Sequence, residues 1–429
     1  MHRMISVLLF LLFIACQQID PQIDSQDVNR IISTLASDDM RGRATFTPDI
    51  ERASEFIAGE FEKIGLEKLD GLNSYEQDFA VYLLKPESHS AKINGRSLNE
   101  NDYFFSVKTA EINWQSTDDL EIITIGETDN IRSAFSQMRK SAKNAIVFVD
   151  PAQKETFERY KSFMSRAART TEMKDSENAL IILSKPINIK SIDAQHKSTV
   201  ENQHLNNVAG KITGNRPDEI VLFSAHYDHI GIRRAVNGDS IYNGANDDAS
   251  GTTAVISLAK YFKSMGKPER TLMFVTFTAE EMGGYGSQYF SQQLDPDKIV
   301  AMFNIEMIGK PASDGPNSCW ITGFDRSSLG TILQKAVEGT EYKFYADPYP
   351  DQNLFYRSDN ATLARLGVPA HSFSTTPIDV DKDYHQASDE VSTLNMDHMA
   401  NTIKAIAKGA ATIISGEATP SRVDKAKVD

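Results

Sequence analysis

The sequence predicts an α/β protein of three layers, α/β/α, with a mixed, largely parallel central sheet. Two observations carry this. From Asn206 onward, apolar runs of buried-strand length alternate with segments whose apolar residues repeat at helical spacing. Three motifs rich in acids or histidine sit at the ends of such runs, where parallel strands bring their carboxyl ends to one crevice.

Taken in order, 28–35 reads as a short helix. Residues 49–65 (DIERASEFIAGEFEKIG) read as a longer one, because Ala53, Phe56, Ile57, Phe61 and Ile64 share a face and Gly65 supplies a stop. SDDMRGRATFTPD between them is a polar loop. From about 82 to 203 the pattern changes to short β-like runs (AKING, LEIITIG, NAIVFVD, ALIILS) separated by charged stretches such as ERYKSFMSRAARTTEMKDSEN. This reads as an inserted β-rich lobe or, alternatively, as a long decorated loop region. His89 and His196 stand alone within it. The run EIVLFSA then ends at His226, and 250–265 is helical, with Val255, Leu258, Ala259, Phe262 and Met265 on one face. TLMFVTF leads to Glu280, IVAMFNI leads to Glu306, VPAHSFS is a later strand, and 395–415 is a C-terminal helix.

At 429 residues the chain has room for one large domain with an insertion, or for two domains. Its 40 % hydrophobic and 24 % charged residues are those of an ordinary globular protein. The net charge of −14 argues against nucleic acid as a partner, since phosphate backbones are repelled. At the N-terminus, His2 and Arg3 precede an apolar run from Ile5 to Ala15 that is too short to span a bilayer and suits a secretory signal. FIAC resembles a bacterial lipobox, which implies cleavage before Cys16 and lipidation there; a plain signal peptide is the alternative. The expectation is an exported lipoprotein, anchored to a membrane through Cys16 and facing the periplasm or the cell surface, with 17–24 as a tether. Cys319, the other cysteine, reads as a buried structural thiol without a disulfide partner.

Five motifs carry the chemistry: AHYDH around His226, GANDDASG around Asp247, FTAEEMGG around Glu280 and Glu281, FNIEMIG around Glu306, and DYHQASDE around His385. Two imidazoles and three carboxylates suffice for two zinc ions, and histidine nitrogens favour zinc over magnesium or calcium. Asp228 and Asp389 are placed to receive the other N–H of His226 and His385. Each motif alone has a plainer reading: a structural histidine after a strand, a helix capped by Asp248 or Ser250, or a solvated acidic pair. Glu280 or Glu281 is left over as a base, enough for amide hydrolysis beside two metals.

As an ordered set the motifs resemble the co-catalytic zinc aminopeptidases of metallopeptidase family twenty-eight, which also includes glutamate carboxypeptidase and glutaminyl cyclase relatives. The resemblance spans roughly 30–80 and 204–415. It implies one metal on Asp247, Glu281 and His385 and another on Asp247, His226 and Glu306. It also implies Glu280 as general base acting on a water shared by the metals, Tyr384 as oxyanion donor, and a non-proline cis peptide after Asp247. The insertion would resemble the protease-associated lobe of some members. The chain departs from the family in carrying Glu306 where aspartate is commoner, a side chain longer by about 1.5 Å. FYRSDNATLARLGVP resembles the cleft-lining region of the bacterial aminopeptidases, making Arg357, Ser358 and Asp359 cleft candidates; a helix start capped by Ser358 is the alternative.

The expected organisation is thus a signal over 1–15, a tether over 17–24, a zinc peptidase domain over 25–84 and 204–417, a lobe over 85–203 and a polar tail over 418–429. The expected activity is removal of the N-terminal residue from peptides with a free N-terminus. A carboxypeptidase or glutaminyl cyclase on the same fold, or a lipid-anchored binding protein without activity, are the alternatives. No G-x-S-x-G elbow, H-E-x-x-H helix or glycine-rich phosphate loop is present.

Overall fold

The computed structural model describes residues 23–428. The expected signal segment, Cys16 and residues 17–22 of the expected tether lie outside them. Helix α1 (Ser25–Leu35) starts at Asp24, whose carboxylate accepts the Gln26 N–H at 3.1 Å. Ile23 is buried, so the body begins inside the stretch expected as tether. Helix α2 (Pro48–Ile64) is capped by Thr47 and closed by Gly65 at φ 76°.

A long strand β1 (Glu76–Ile93) follows. The lobe holds β2 (Arg96–Ser97), β3 (Tyr103–Ser106), β4 (Glu111–Trp114), β5 (Leu120–Ile125), α3 (Ile131–Ser141), β6 (Asn144–Val149), α4 (Lys154–Met164), β7 (Ala168–Thr170) and β8 (Ala179–Leu183). Strand β9 (Ile192–Ile212) returns antiparallel to β1. The body continues with β10 (Arg216–His226), β11 (Gly231–Val236), β12 (Asp239–Tyr242), α5 (Ser250–Ser264), β13 (Arg270–Phe277), α6 (Tyr285–Gln292), β14 (Ile299–Ile305), β15 (Ser318–Ile321), α7 (Leu329–Ala336), β16 (Lys343–Ala346), α8 (Asn360–Arg365), β17 (Ala370–Ser374) and α9 (Met396–Ile414).

Among the described residues, the central sheet runs in the order β16-β15-β17-β14-β10-β13-β9-β1-β2. Strands β13, β10, β14 and β17 are parallel, and β9 and β1 extend the sheet antiparallel, so the sheet is mixed as expected. Both faces of the parallel strands are apolar, which lets helices cover both. Val221, Phe223, Leu272, Phe274, Ala301 and Phe303 face α1, α2, α5, α7 and α9. Leu222, Met273, Val275 and Met302 face α6 and α8. On the first face Phe274, Phe223, Phe303 and Phe373 form a stacked row with centroids 5.6, 5.0 and 5.2 Å apart. Cys319 is buried in this core as a free thiol.

Three features of the chain differ from the sequence reading. The edges expected near 85 and 203 fall inside β1 and β9, which pair from Glu76↔Val208 to Ile93↔Ile192 with one irregularity between Pro86 and Ser88. The charged stretch after 154 contributes helix α4, so the lobe is a four-stranded sheet (β3-β8-β6-β5) with α3 and α4 on one face and the β1–β9 ribbon on the other. The C-terminal segment expected as a polar tail packs on the body: Val423 and Val428 are buried, and Arg270 donates to the carbonyl of Ala418 at 2.8 Å. No helix among the described residues is long and apolar enough to cross a membrane.

Candidate metal centre

Parallel neighbours β13, β10 and β14 open their carboxyl ends on one edge. His226 is the last residue of β10, Glu306 follows β14 directly, and Glu280 and Glu281 lie just past β13. Asp247 lies in the turn before α5, with a cis peptide bond to Asp248 as the resemblance implied. His385 comes from the loop between β17 and α9. The chain bends sharply at these stations: Ala279, Met307 and His385 take left-handed φ of 60°, 55° and 57°.

The five expected residues converge. His226 Nε2 lies 3.2 Å from Asp247 Oδ1, and His385 Nε2 lies 3.2 Å from Asp247 Oδ2 and 3.1 Å from Glu281 Oε1. The two oxygens of Asp247 therefore face different partners. Glu306 joins His226 and Asp247 in one group whose ligand atoms all lie within 4.8 Å of one another, so its longer side chain still reaches. A second group is formed by Asp247, Glu281 and His229, a residue the sequence reading passed over. Its Nδ1 lies 3.0 Å from Glu281 Oε1. The signal for it was available, since AHYDH places two imidazoles in five residues at a strand end; read as lone histidines, each is more plausibly structural.

Glu280 and Glu281 diverge. Glu281 turns to His229 and His385, whereas Glu280 lies in the field of His226, Glu306 and Asp359. Burial, reinforced by neighbouring carboxylates and only partly offset by His226, raises the pKa of Glu280 well above its ordinary value. Burial likewise pushes Glu306 up to about 7 and Asp359 up to about 6. Burial opposes charge on His226, but Asp247, Asp248 and Glu280 outweigh it and raise its pKa. Such a surplus of buried carboxylates calls for compensating cations.

Two expected bonds are replaced by others. His226 Nδ1 pairs with the backbone carbonyl of Asp228 at 3.1 Å, while the Asp228 carboxylate stands 3.8 Å from that nitrogen, too far for a hydrogen bond. That carboxylate instead accepts the N–H groups of Glu280 and Glu281 at 3.0 and 3.3 Å and the Thr45 hydroxyl at 3.1 Å. Asp389 is not a partner of His385; it accepts the N–H groups of Asn246 and Asp247 at 2.9 and 3.0 Å. Asp248 does the same for His226, Gly251 and Met307 at 3.3, 3.0 and 3.0 Å. The physical reason is shared. Loop backbones that bend at a strand end lose their ladder partners, and buried carboxylates replace them.

The counter-charge to these carboxylates is Arg43, from the loop read only as polar. It is fully buried and donates to the carbonyls of Leu35, Asn243, Gly244 and Tyr227 at 2.6, 2.6, 2.9 and 2.8 Å. Burial lowers its pKa to about 10, with Asp228 opposing. Arg43→Met should cost about 3–5 kcal/mol in thermal unfolding, because buried acceptors lose their donor. Arg43→Lys should recover little, since one ammonium cannot serve four carbonyls in a plane.

Tyr384 stacks on His385 with centroids 4.0 Å apart. With Glu306, Arg357 and Ser358 it lines a cavity of about 40 Å³, completed by Met307, Trp320, Leu354, Ile378 and small polar side chains. Asp359 does not line this cavity; it is buried beside the centre, and neither of its oxygens has a hydrogen-bond partner. Ser358 accepts from Asn304 Nδ2 at 2.7 Å and makes no side-chain cap to α8. A wider cleft of about 680 Å³ runs from Glu281 and Met282 to the lobe, where Lys108, Arg166, Arg169 and Lys174 line it.

The donor set fits zinc. His226 Nε2 and Glu281 Oε1, one from each group, are buried without a hydrogen-bond partner, which is costly unless a cation sits against each. The spacings of 3.1–3.2 Å match the ligand–ligand edges of about 3.3 Å expected around a tetrahedral ion with bonds of about 2.0 Å.

Residues 207–410 match the family model for Peptidase family M28. The chain is 29 % identical over 209 residues to leucine aminopeptidase 1 of Trichophyton rubrum, a match covering 46 % of this chain and 55 % of that one. The match thus spans about half the length of that relative. Among solved structures, the aminopeptidase of Aneurinibacillus sp. strain AM-1 superposes with a TM-score of 0.52 at 18 % identity, covering 96 % of this chain and 97 % of the other. BSAP, a zinc aminopeptidase from Bacillus subtilis, does so with a TM-score of 0.53 at 15 % identity, covering 95 % and 100 %. At these identities the two structures speak for the fold.

Proposed function

We propose, for a chain whose residues 207–410 match the model of peptidase family M28, that it is a zinc-dependent aminopeptidase removing the N-terminal residue of peptides. The observation that carries this is the sharing of Asp247 between two ligand groups, with Glu280 left beside them and bound to neither. His226, Asp247 and Glu306 would hold one ion, and Asp247, Glu281 and His385 the other. Two such ions supply Lewis acidity for the scissile carbonyl and lower the pKa of a water toward ~7.

The chain's own groups do the rest. Glu280 takes the proton of the attacking water and delivers it to the leaving amine nitrogen. Tyr384 directs its hydroxyl at the carbonyl oxygen as charge develops there. The surplus carboxylates hold the substrate's ammonium, which selects peptides with an unblocked N-terminus. The cavity walled by Met307, Trp320, Leu354 and Ile378 takes an apolar N-terminal side chain, in keeping with the leucine aminopeptidase relative. The remaining peptide lies along the cleft toward the lobe.

The test is a panel of short peptides, free or acetylated at the N-terminus, with product analysis. Free leucyl peptides should lose their first residue, acetylated ones should remain intact, a chelator should stop the reaction, and zinc should restore it. Equal cleavage of acetylated peptides would rule out an aminopeptidase. A second reading, carboxypeptidase, is favoured by Arg166 and Arg169 in the cleft and Arg357 at the cavity, which suit a C-terminal carboxylate. Release of the last residue, abolished by C-terminal amidation, would establish it. Cyclisation of N-terminal glutamine without hydrolysis would instead point to a glutaminyl cyclase.

The apolar run before Cys16 supports export and lipid anchoring at that residue. Incorporation of labelled fatty acid should vanish in Cys16→Ser; persistence of the label would refute the anchor.

A further inference from the structure

We propose that His229 is itself a metal ligand. One ion is then held by four side chains, His229, Asp247, Glu281 and His385, and the other by three, His226, Asp247 and Glu306. The inference rests on the two-zinc reading above and adds to it an asymmetry within the pair.

His229 Nδ1 lies 3.0 Å from Glu281 Oε1 and 3.9 Å from Asp247 Oδ2. The first distance is short, yet both of its atoms are buried without a hydrogen-bond partner. The imidazole and the carboxylate are therefore close without N–H···O geometry, the arrangement left when two groups point at a third point rather than at each other. Nε2 of the ring has no partner either, so hydrogen bonding does not account for burying this side chain. Both imidazoles approach the same two carboxylates: the spacings of 3.0 Å here and 3.1 and 3.2 Å at His385 are close to the ~3.3 Å edge of a tetrahedral zinc ion, and 3.9 Å from His229 to Asp247 is the long one. The ring is also held in place. Gly244, at φ 56°, lets the backbone pass directly beside it, and a Cβ built there would fall 2.4 Å from His229 Cγ. The His385 ring faces it at a centroid distance of 5.7 Å and an interplanar angle of 69°.

Four protein donors close a zinc site, whereas three leave a position for water or substrate. The ion on His229 and His385 is accordingly the retained one. The ion on His226 and Glu306, with one protein donor fewer, would exchange more readily and be the more open of the two to water or substrate.

The experiment is zinc titration of the full-length apo-protein against a chromophoric chelator, with wild type and His229→Ala, joined to zinc X-ray absorption of wild type carrying one equivalent. Wild type should show two classes of site, and the first zinc should carry two imidazoles. His229→Ala should weaken the tighter class by more than about 100-fold, beyond the 10–100-fold typical of groups that only support a ligand. The absorption measurement needs no variant, so a folding defect in His229→Ala does not rescue or sink the claim. Two bound zincs with a single imidazole on the first, or an unchanged tighter class in the variant, would overturn this inference and leave the proposed function standing. A wild-type chain that takes up no zinc would overturn both.

Discussion

Glu280→Gln should bind zinc like the wild type yet turn over peptides about 10²–10⁴-fold more slowly, the range that a positioned acid–base contributes. The substitution keeps volume and hydrogen-bonding capacity and removes only the ability to accept a proton. Zinc content should hold, because Glu280 belongs to neither ligand group: Glu281 turns to His385 and His229, while Glu280 lies in the field of His226, Glu306 and Asp359. Its backbone N–H rests on Asp228 at 3.0 Å and is untouched by the change, so the loop should keep its course. Zinc content, thermal stability and kcat measured on one preparation decide the matter. Wild-type turnover in Glu280→Gln would remove Glu280 from the chemistry. Loss of zinc along with activity would make it a ligand instead.

Asp247→Ala should have the broader effect, weakening both zinc sites by more than about 100-fold each and reducing turnover to background. One oxygen of Asp247 lies 3.2 Å from His226 and the other 3.2 Å from His385, so a single truncation removes a donor from each group. It also leaves imidazoles facing an emptied space. Metal analysis after dialysis, beside the same analysis of Glu306→Ala, separates the two groups. Glu306→Ala should lose one zinc and Asp247→Ala both. If Asp247→Ala retains two zincs per chain, the shared-carboxylate geometry is wrong.

Much of the body was legible because its signals are local. Strands β10, β13 and β14 are apolar on both faces, α2 has an uninterrupted apolar stripe stopped by Gly65, and the ligand motifs sit where those strands end. What escaped depends on contacts between distant segments. Nothing around Arg43 reveals that it is buried, because the four carbonyls it serves come from Leu35, Tyr227, Asn243 and Gly244. Asp228 and Asp389 were assigned to the right place and the wrong partner, since sequence neighbours suggested imidazoles while the unpaired N–H groups of other loops took the carboxylates. Helix α4 was missed because its stripe is thin, with Phe157 its one buried residue, and lysines and glutamates dominate the rest. His229 shows the same limit from another side: its backbone trace follows β10, but its importance is set by Glu281 and by the bare Cα of Gly244.

The β1–β9 ribbon sets a rule for how the lobe can be lengthened or trimmed. Its two strands pair from Glu76↔Val208 to Ile93↔Ile192 and carry Ala91, Ile93, Ile192 and Ala194 into the lobe's core. Adding one residue to a single strand would turn its outer half over and put those side chains in water, unless a bulge like the one between Pro86 and Ser88 absorbs it. Adding two residues to both strands preserves the sidedness and moves the lobe outward by about 7 Å. The arm is therefore adjustable in discrete steps, either in matched pairs of residues or at a bulge that absorbs the odd one.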